Sequence, residues 1–380
     1  MAEEVHGTCD ERFSGVRDVL AANLERGEDV GASVAVTVEG ELVVDLWGGW
    51  SDQDRTVAWG RDTITNVWST TKTMTALCAL MIADAGELDL DAPVARYWPE
   101  FAAGGKGDRV LVRHLLGHTA GLSGWAEPIS IGDLYDWEKC TSLLAAQEPW
   151  WEPGSASGYH AITQGYLVGE VIRRITGRSV GTFFREEVAE PLGADFHIGL
   201  DPSESARVSN VIPPPPISLP EGAEVPEMAL RTLMNPPLDV TAVWTQGWRQ
   251  AEIPAASGHG NARSVATVQA IMANGGTLAG RRFLSEAGVE RVLEVQAEGT
   301  DLVLGVPLRF GMGFGLPSDL MPINETGRAC YWGGYGGSVI VVDMERRATF
   351  AYMMNRMKEG LVGDDRGLSL AAAVIAGLSE

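Results

Sequence analysis

Ser69 and Lys72 lie three residues apart in Trp68-Ser69-Thr70-Thr71-Lys72-Thr73-Met74-Thr75-Ala76-Leu77. This pairing can make a nucleophile. The approach, Thr63 to Trp68, reads as a strand, and the apolar segment that follows runs to Ala85-Gly86 and reads as a buried helix closed by glycine. Ser69 then sits at the helix N-terminus, with Lys72 one turn on along the same face. Free N–H groups and the positive end of the helix dipole stabilise charge developing on the hydroxyl. An ammonium about 5–6 Å away at the Cβ level can hold a neighbouring base deprotonated, or the lysine can take the hydroxyl proton itself. The chain has only four lysines among 29 basic residues, so chance predicts about 0.2 such Ser/Lys pairs. A lysine in an apolar helix also costs several kcal/mol unless it is paired. The competing reading is a capping serine followed by a lysine that reaches back to solvent.

Serine–lysine chemistry needs a proton shuttle and an oxyanion hole. Tyr159, in Ser157-Gly158-Tyr159-His160-Ala161, lies in a loop just before a helix. A neighbouring ammonium should lower its pKa from about 10, so that it takes and returns the serine proton. Further on, Tyr331-Trp332-Gly333-Gly334-Tyr335-Gly336-Gly337-Ser338 precedes a strand. Its glycines let the backbone approach a ligand closely and offer an N–H to an oxyanion.

With these three pieces in order, the chain resembles the serine β-lactamase and penicillin-binding-protein superfamily, and within it the β-lactamase-like carboxylesterases of family VIII. Ser69 and Lys72 match the family's S-x-x-K. Tyr159 matches the tyrosine that opens Y-x-N, and Trp332-Gly333-Gly334 matches the third motif, written K-T-G, H-G-G or W-G-G in different relatives. Pro93 to Pro99, Leu115 to Leu122, Glu190 to Gly193, Gly258 to Ser264 and Met354 to Met357 look familiar too, so the resemblance covers nearly the whole chain.

The resemblance implies a serine hydrolase that forms an acyl-enzyme on Ser69, with Lys72 and Tyr159 moving protons. The backbone N–H groups of Ser69 and Tyr335 would form the oxyanion hole, with no metal or organic cofactor. Two departures bear on the substrate. Ala161 stands where true lactamases and peptidases place Asn, and Trp332 stands where they place Lys or His. An apolar wall of this kind, with Gly333 and Gly334 beside it, suits plain short-chain esters better than carboxylate-bearing lactams. The deacylating Glu-x-x-Leu-Asn of one lactamase class is missing. Three alternatives stay open: an amide or lactam hydrolase, an acyltransferase, and a non-catalytic binder of acyl ligands. His160, Trp244 and Trp248 are further candidates to touch substrate, the two tryptophans as walls of an acyl pocket.

Some motifs point elsewhere. Gly177-Arg178-Ser179-Val180-Gly181 fits the nucleophile elbow of α/β-hydrolases, but a helix rather than a strand precedes it, so Ser179 reads as an N-cap. His114 and His118 have metal-ligand spacing without the accompanying Glu and read as packing or loop anchors.

The elements that must carry these residues follow in order. A helix is expected over about 10–27, a hairpin from Ala32–Val38 and Leu42–Trp47 around Glu39-Gly40-Glu41, and then the Ser69 helix. Helices and loops fill about 87–200, including Gln164–Thr176 and Val180–Val188. Residues 201–256, with Pro213 to Pro216, read as a long irregular section. A helix over about 264–273, strands at Phe310–Leu316, Gly336–Asp343 and Ala348–Met354, and a helix over about 368–378 complete the chain. The expected fold is α/β (α+β): one sheet built from 1–75 and 257–380, with a mainly helical domain inserted over 76–256. From the resemblance, the sheet is antiparallel and flanked by helices.

At 380 residues the chain can bury a large core. Its net charge of −22 argues against nucleic acid and anionic membrane as partners and leaves a small-molecule ester as the expected one. Four scattered cysteines, no signal peptide and no long apolar run read as a reduced, cytoplasmic protein of undetermined oligomeric state.

Overall fold

The computed structural model describes residues 4–215, 225–319, 321–324, 326–360 and 363–379. Its main sheet has six strands: β1 (Val5–Cys9), β2 (Gly31–Val38), β3 (Glu41–Gly49), β4 (Ala329–Gly333), β5 (Val339–Asp343) and β6 (Ala348–Met354). They run β1-β3-β2-β6-β5-β4 and pair antiparallel throughout. The seam between the two ends of the chain is the β2–β6 pair, in register from Ala32 opposite Met354 to Val38 opposite Ala348. All seven residues of β6 and all but the last of β2 are buried. Both faces of the central strands are therefore covered, and their apolar runs do not alternate. The β2–β3 turn places Glu39 and Gly40 at φ 51° and 87°, the left-handed pair that matches the twist of a tight hairpin.

Five helices matter for the site: α1 (Ser14–Glu25), α2 (Thr71–Asp84), α3 (Thr163–Thr176), α4 (Ala262–Ala273) and α5 (Asp365–Leu378). Helix α4 packs on β2, β5 and β6, while α1 and α5 pack together, with α5 also on β6. Helix α2 is buried almost all round, its first turns carrying buried Thr71, Lys72, Thr73 and Thr75 and the rest mostly apolar, and it packs against α3. It ends at Gly86, whose φ of 79° suits glycine. Between α2 and α4 the described residues are mainly helical and irregular, with a few two-residue strands.

Three local differences from the sequence expectations have physical causes. The strand expected over Phe310–Leu316 is instead Pro307–Phe310, because a turn from Gly311 N–H to the Phe314 carbonyl and the left-handed Gly313 stop it. Strand β4 was not expected at all: Trp332 and Gly333 belong to it, and its five buried residues show no alternation. Ile64–Asn66 pairs with two-residue strands at 208–209 and 259–260, which are too short to leave a periodic signal. Part of the proline-rich section, residues 216–224 and with them Pro216, lies outside the described residues.

Candidate active site

Ser69 sits in a single 3-10 turn, Trp68–Thr70, that joins the Ile64–Asn66 strand to α2. The turn is forced. Trp68 has φ 49°, a left-handed conformation that costs a bulky residue on the order of 1–3 kcal/mol unless its surroundings impose it. Those surroundings are hydrogen bonds from both sides. Val67 N–H donates to the Gly258 carbonyl at 2.9 Å, and the Ser338 hydroxyl donates to the Val67 carbonyl at 2.9 Å. Thr71 Oγ1 donates to the Trp68 carbonyl at 2.5 Å. The Trp68 ring is packed by Trp248 at 5.7 Å and by the edge of Tyr335 at 5.5 Å.

Lys72 and Tyr159 meet at the serine. Lys72 Nζ is 3.1 Å from Ser69 Oγ, and the Tyr159 hydroxyl donates to the same oxygen at 2.7 Å. Lys72 also donates to the carbonyls of Ala161 at 2.7 Å and Ala255 at 3.0 Å. It is fully buried and does not reach solvent. All three of its hydrogen-bond partners are uncharged, and burial pushes its pKa well below the ordinary lysine value. A neutral amine suits this setting: two N–H bonds point at carbonyls and the lone pair faces the serine hydroxyl.

The expectation that Lys72 lowers the Tyr159 pKa is corrected. Burial raises it, and the bond to Ser69 and the Trp332 indole N–H only partly oppose that. Tyr159 is 3 % exposed, so the cost of desolvating a phenolate dominates, and Lys72 is itself held below its ordinary pKa by burial. At rest Tyr159 is a protonated donor.

Main-chain segments also meet at this turn. A Cβ on Gly334 would lie 2.3 Å from the Val67 carbonyl oxygen, so β4 leaves the sheet directly against the turn that carries Ser69. Tyr335 follows, and neither its N–H nor that of Ser69 makes a backbone hydrogen bond among the described residues. Behind the turn, the buried Arg366 guanidinium donates to the Gly336 carbonyl at 2.9 Å.

A profile of the Beta-lactamase family matches residues 16–374. The chain belongs to the beta-lactamase family. It is 36 % identical to the Esterase/beta-lactamase LipL of Mycobacterium tuberculosis (strain ATCC 25618 / H37Rv), over 95 % of this chain and 85 % of that protein. It is 31 % identical to Esterase EstB of Burkholderia gladioli over about half of each. Among solved structures, a family VIII carboxylesterase superposes with a TM-score of 0.92 at 42 % identity, covering 98 % of this chain and all of that one. A penicillin-binding protein homolog from Caulobacter crescentus gives the same TM-score and coverage at 39 % identity. The fold is therefore the β-lactamase-like fold of this family.

Within this beta-lactamase-family site, the remaining candidates divide. Trp332 is buried, stacks on His118 with ring centroids 5.6 Å apart at 12°, and lies 5.9 Å from the Tyr159 ring. Its indole N–H faces the Tyr159 phenol yet completes no hydrogen bond among the described residues. Gly333 ends β4 beside it. His160 does not offer a nitrogen to substrate: Nδ1 donates to the Gly158 carbonyl at 2.6 Å and Nε2 accepts from Leu122 N–H at 3.1 Å. It braces the Tyr159 loop. Trp248 is fully buried beneath Trp68 and forms no open wall. Trp244 is 42 % exposed and lines a different cleft with Arg61, Asp62 and Arg207, one that includes none of Ser69, Lys72 and Tyr159.

The decoys are structural. Ser179 caps a short helix by accepting from Thr182 N–H, and it donates to Glu252 at 2.6 Å. His114 Nδ1 accepts from Leu111 N–H, and His118 Nδ1 accepts from His160 N–H. Sequence reasoning missed Ala255, Ser338 and Asp301, which touch the site only through backbone or through other residues. An aspartate two residues before a Val-Leu-Gly turn carried the only local signal, that of an Asx turn.

Proposed function

We propose that this protein is a carboxylesterase that cleaves short-chain esters through an acyl-enzyme on Ser69. The observation that carries the reading is one oxygen with two partners: Ser69 Oγ lies within hydrogen-bond distance of both Lys72 Nζ and the Tyr159 hydroxyl. The esterases among its family relatives support it.

The chemistry follows from the resting protonation states. Ser69 Oγ attacks the ester carbonyl as its proton passes to the neutral amine of Lys72. The carbonyl oxygen becomes an oxyanion, held by the N–H groups of Ser69 and Tyr335. Its collapse breaks the C–O bond of the alcohol, and Tyr159 gives its proton to the departing alkoxide. The phenolate and ammonium left behind neutralise each other by proton transfer from Lys72 to Tyr159. Water then attacks the acyl carbon and returns a proton to Ser69 through the same two groups. The products are the acid and the alcohol, and no cofactor takes part.

The buried Trp332 surface, in place of a lysine, offers no cation to a substrate carboxylate, which favours neutral esters and leaves lactam hydrolysis weak. The test is p-nitrophenyl butyrate hydrolysis by the parent and Ser69→Ala, with nitrocefin alongside. Ester turnover that vanishes in the variant is expected. Unchanged turnover in Ser69→Ala sinks the assignment, and nitrocefin turnover above ester turnover makes the protein a lactamase.

A further inference from the structure

Asp301 is 1 % exposed and comes from the loop that follows the short strand Ala297–Thr300. A buried carboxylate is costly unless donors satisfy it. Here a single oxygen, Oδ1, accepts three backbone N–H groups: Val303 at 2.9 Å, Leu304 at 2.9 Å and Tyr159 at 3.0 Å. The first two close the local turn, as aspartates commonly do. The third reaches 142 positions back along the chain, to the residue whose phenol meets the nucleophile. The next residue repeats the link, since Leu302 N–H donates to the Ser157 carbonyl at 2.8 Å. The Tyr159 loop is thus tied to the 301–302 turn by two bonds, one on Tyr159 itself. The second carboxylate oxygen, Oδ2, is buried and meets no donor among the described residues.

A loop tyrosine placed this way needs such a tie. General acid catalysis requires its hydroxyl to stay within about 2.6–3.2 Å of the reacting oxygen. An error near 1 Å costs on the order of 100-fold in rate. On the other side, His160, His118, ring packing and the Lys72 bond to the Ala161 carbonyl brace the loop. Asp301 fixes the main-chain atom from which the phenol projects. Its negative charge also opposes ionisation of the phenol.

We propose that Asp301 is a positioning residue for Tyr159, its carboxylate oxygen holding the Tyr159 main chain so that the hydroxyl meets Ser69. This rests on the role given to Tyr159 above. The test compares Asp301→Ala, Asp301→Asn and Tyr159→Phe in full-length protein, by kcat and KM for p-nitrophenyl butyrate and by thermal unfolding. Asp301→Ala should lower kcat at least about tenfold with KM within about twofold, because the lost alignment matters in the transition state. Asp301→Asn keeps an acceptor oxygen for the three N–H groups and should recover most of that loss. If Asp301→Ala does not fold, Asp301→Glu replaces it: the charge remains but the oxygen is displaced by a methylene, and kcat should fall as for alanine.

A loop anchor without a catalytic part would lower the unfolding temperature and leave kcat of the folded enzyme within twofold, which overturns the proposal. An asparagine variant as slow as the alanine one overturns it too, since charge rather than position would then be at work. Activity retained in Tyr159→Phe overturns the Tyr159 role and this inference together. Loss in Tyr159→Phe with none in the Asp301 variants overturns the inference alone.

Discussion

The Ser338 hydroxyl donates to the Val67 carbonyl at 2.9 Å and lies 3.0 Å from Thr70 Oγ1, so one side chain bridges both ends of the turn that carries Ser69. It comes from the stretch just before β5, 271 positions away from Val67. Its own carbonyl accepts from Gly334 N–H at 2.8 Å, which ties the Ser69 turn and the glycine loop to one residue.

Removing that hydroxyl should loosen both. Ser338→Ala leaves the Val67 carbonyl with the Thr70 N–H but without its side-chain donor, a loss of about 0.5–1.5 kcal/mol. The strained Trp68 conformation then has less to hold it. The expected result is a lower unfolding temperature and a fall in kcat larger than any change in KM. A variant with the parent's kcat would show that the turn holds itself.

Lys72 should show itself in the pH profile. Burial among uncharged partners lowers its pKa, so kcat/KM should rise with pH as the amine loses its proton and then level off. Lys72→Arg keeps a cation whose guanidinium stays protonated at every working pH. A loss of at least about 100-fold in kcat is expected, since general-base contributions are commonly 10²–10⁴. Near-parental activity in Lys72→Arg would mean that the residue supplies charge rather than accepting a proton.

Acid should unfold the protein early. His160 and His259 are pushed down to about 3 and His114 to about 4, mainly by burial, and His118 is also lowered by burial. Each is neutral when folded and takes a proton near its ordinary 6.5 when unfolded. The folded values are depressed, so this stability is fully present above about pH 6.5 and is lost as pH falls from there toward about 3. Once titrating in the unfolded chain, each site removes about 1.4 kcal/mol per pH unit. Urea denaturation at intervals between pH 7.5 and 5 should show stability falling throughout the lower half of that range. A flat profile would mean that the histidines protonate without unfolding the chain.

Arg366 and Asp29 form a buried pair at 2.8 Å, with Tyr352 donating to the same carboxylate oxygen at 2.6 Å. Arg366 also holds the carbonyls of Gly336 and Arg356, at 2.9 Å each. Arg366→Met leaves Asp29, which has no exposed surface, without its cation. Breaking a buried pair from one side costs about 3–5 kcal/mol, and denaturant unfolding would show it. Esterase activity should also fall, because the Gly336 carbonyl behind Tyr335 loses its anchor. A loss below about 1 kcal/mol would show that Asp29 takes a proton and needs no partner.

Serine, lysine and tyrosine were legible in the sequence because each sits in a short local pattern. Ser69 and Lys72 are one helical turn apart, so their meeting is set by helix geometry alone. The helices 163–176 and 262–273 and the strand 348–354 were legible for a similar reason: their periods and caps are local. What the sequence determined by itself is this set of locally encoded pieces, their order, and through their resemblance the family.

The tertiary structure decided the rest, since the deciding quantities are burial and long-range contact. It sent Trp248 under Trp68 and Trp244 to a separate cleft, though both are tryptophans in one irregular section. It turned both nitrogens of His160 onto backbone groups. It reversed the expected direction for the Tyr159 hydroxyl, because desolvation, invisible in a list of residues, outweighs one neighbouring amine. Asp301, Ser338 and the carbonyls of Ala161 and Ala255 reach the site from 89 to 271 positions away. Hydrogen bonds over such separations exist only once the chain has folded, and no spacing along the chain announces them.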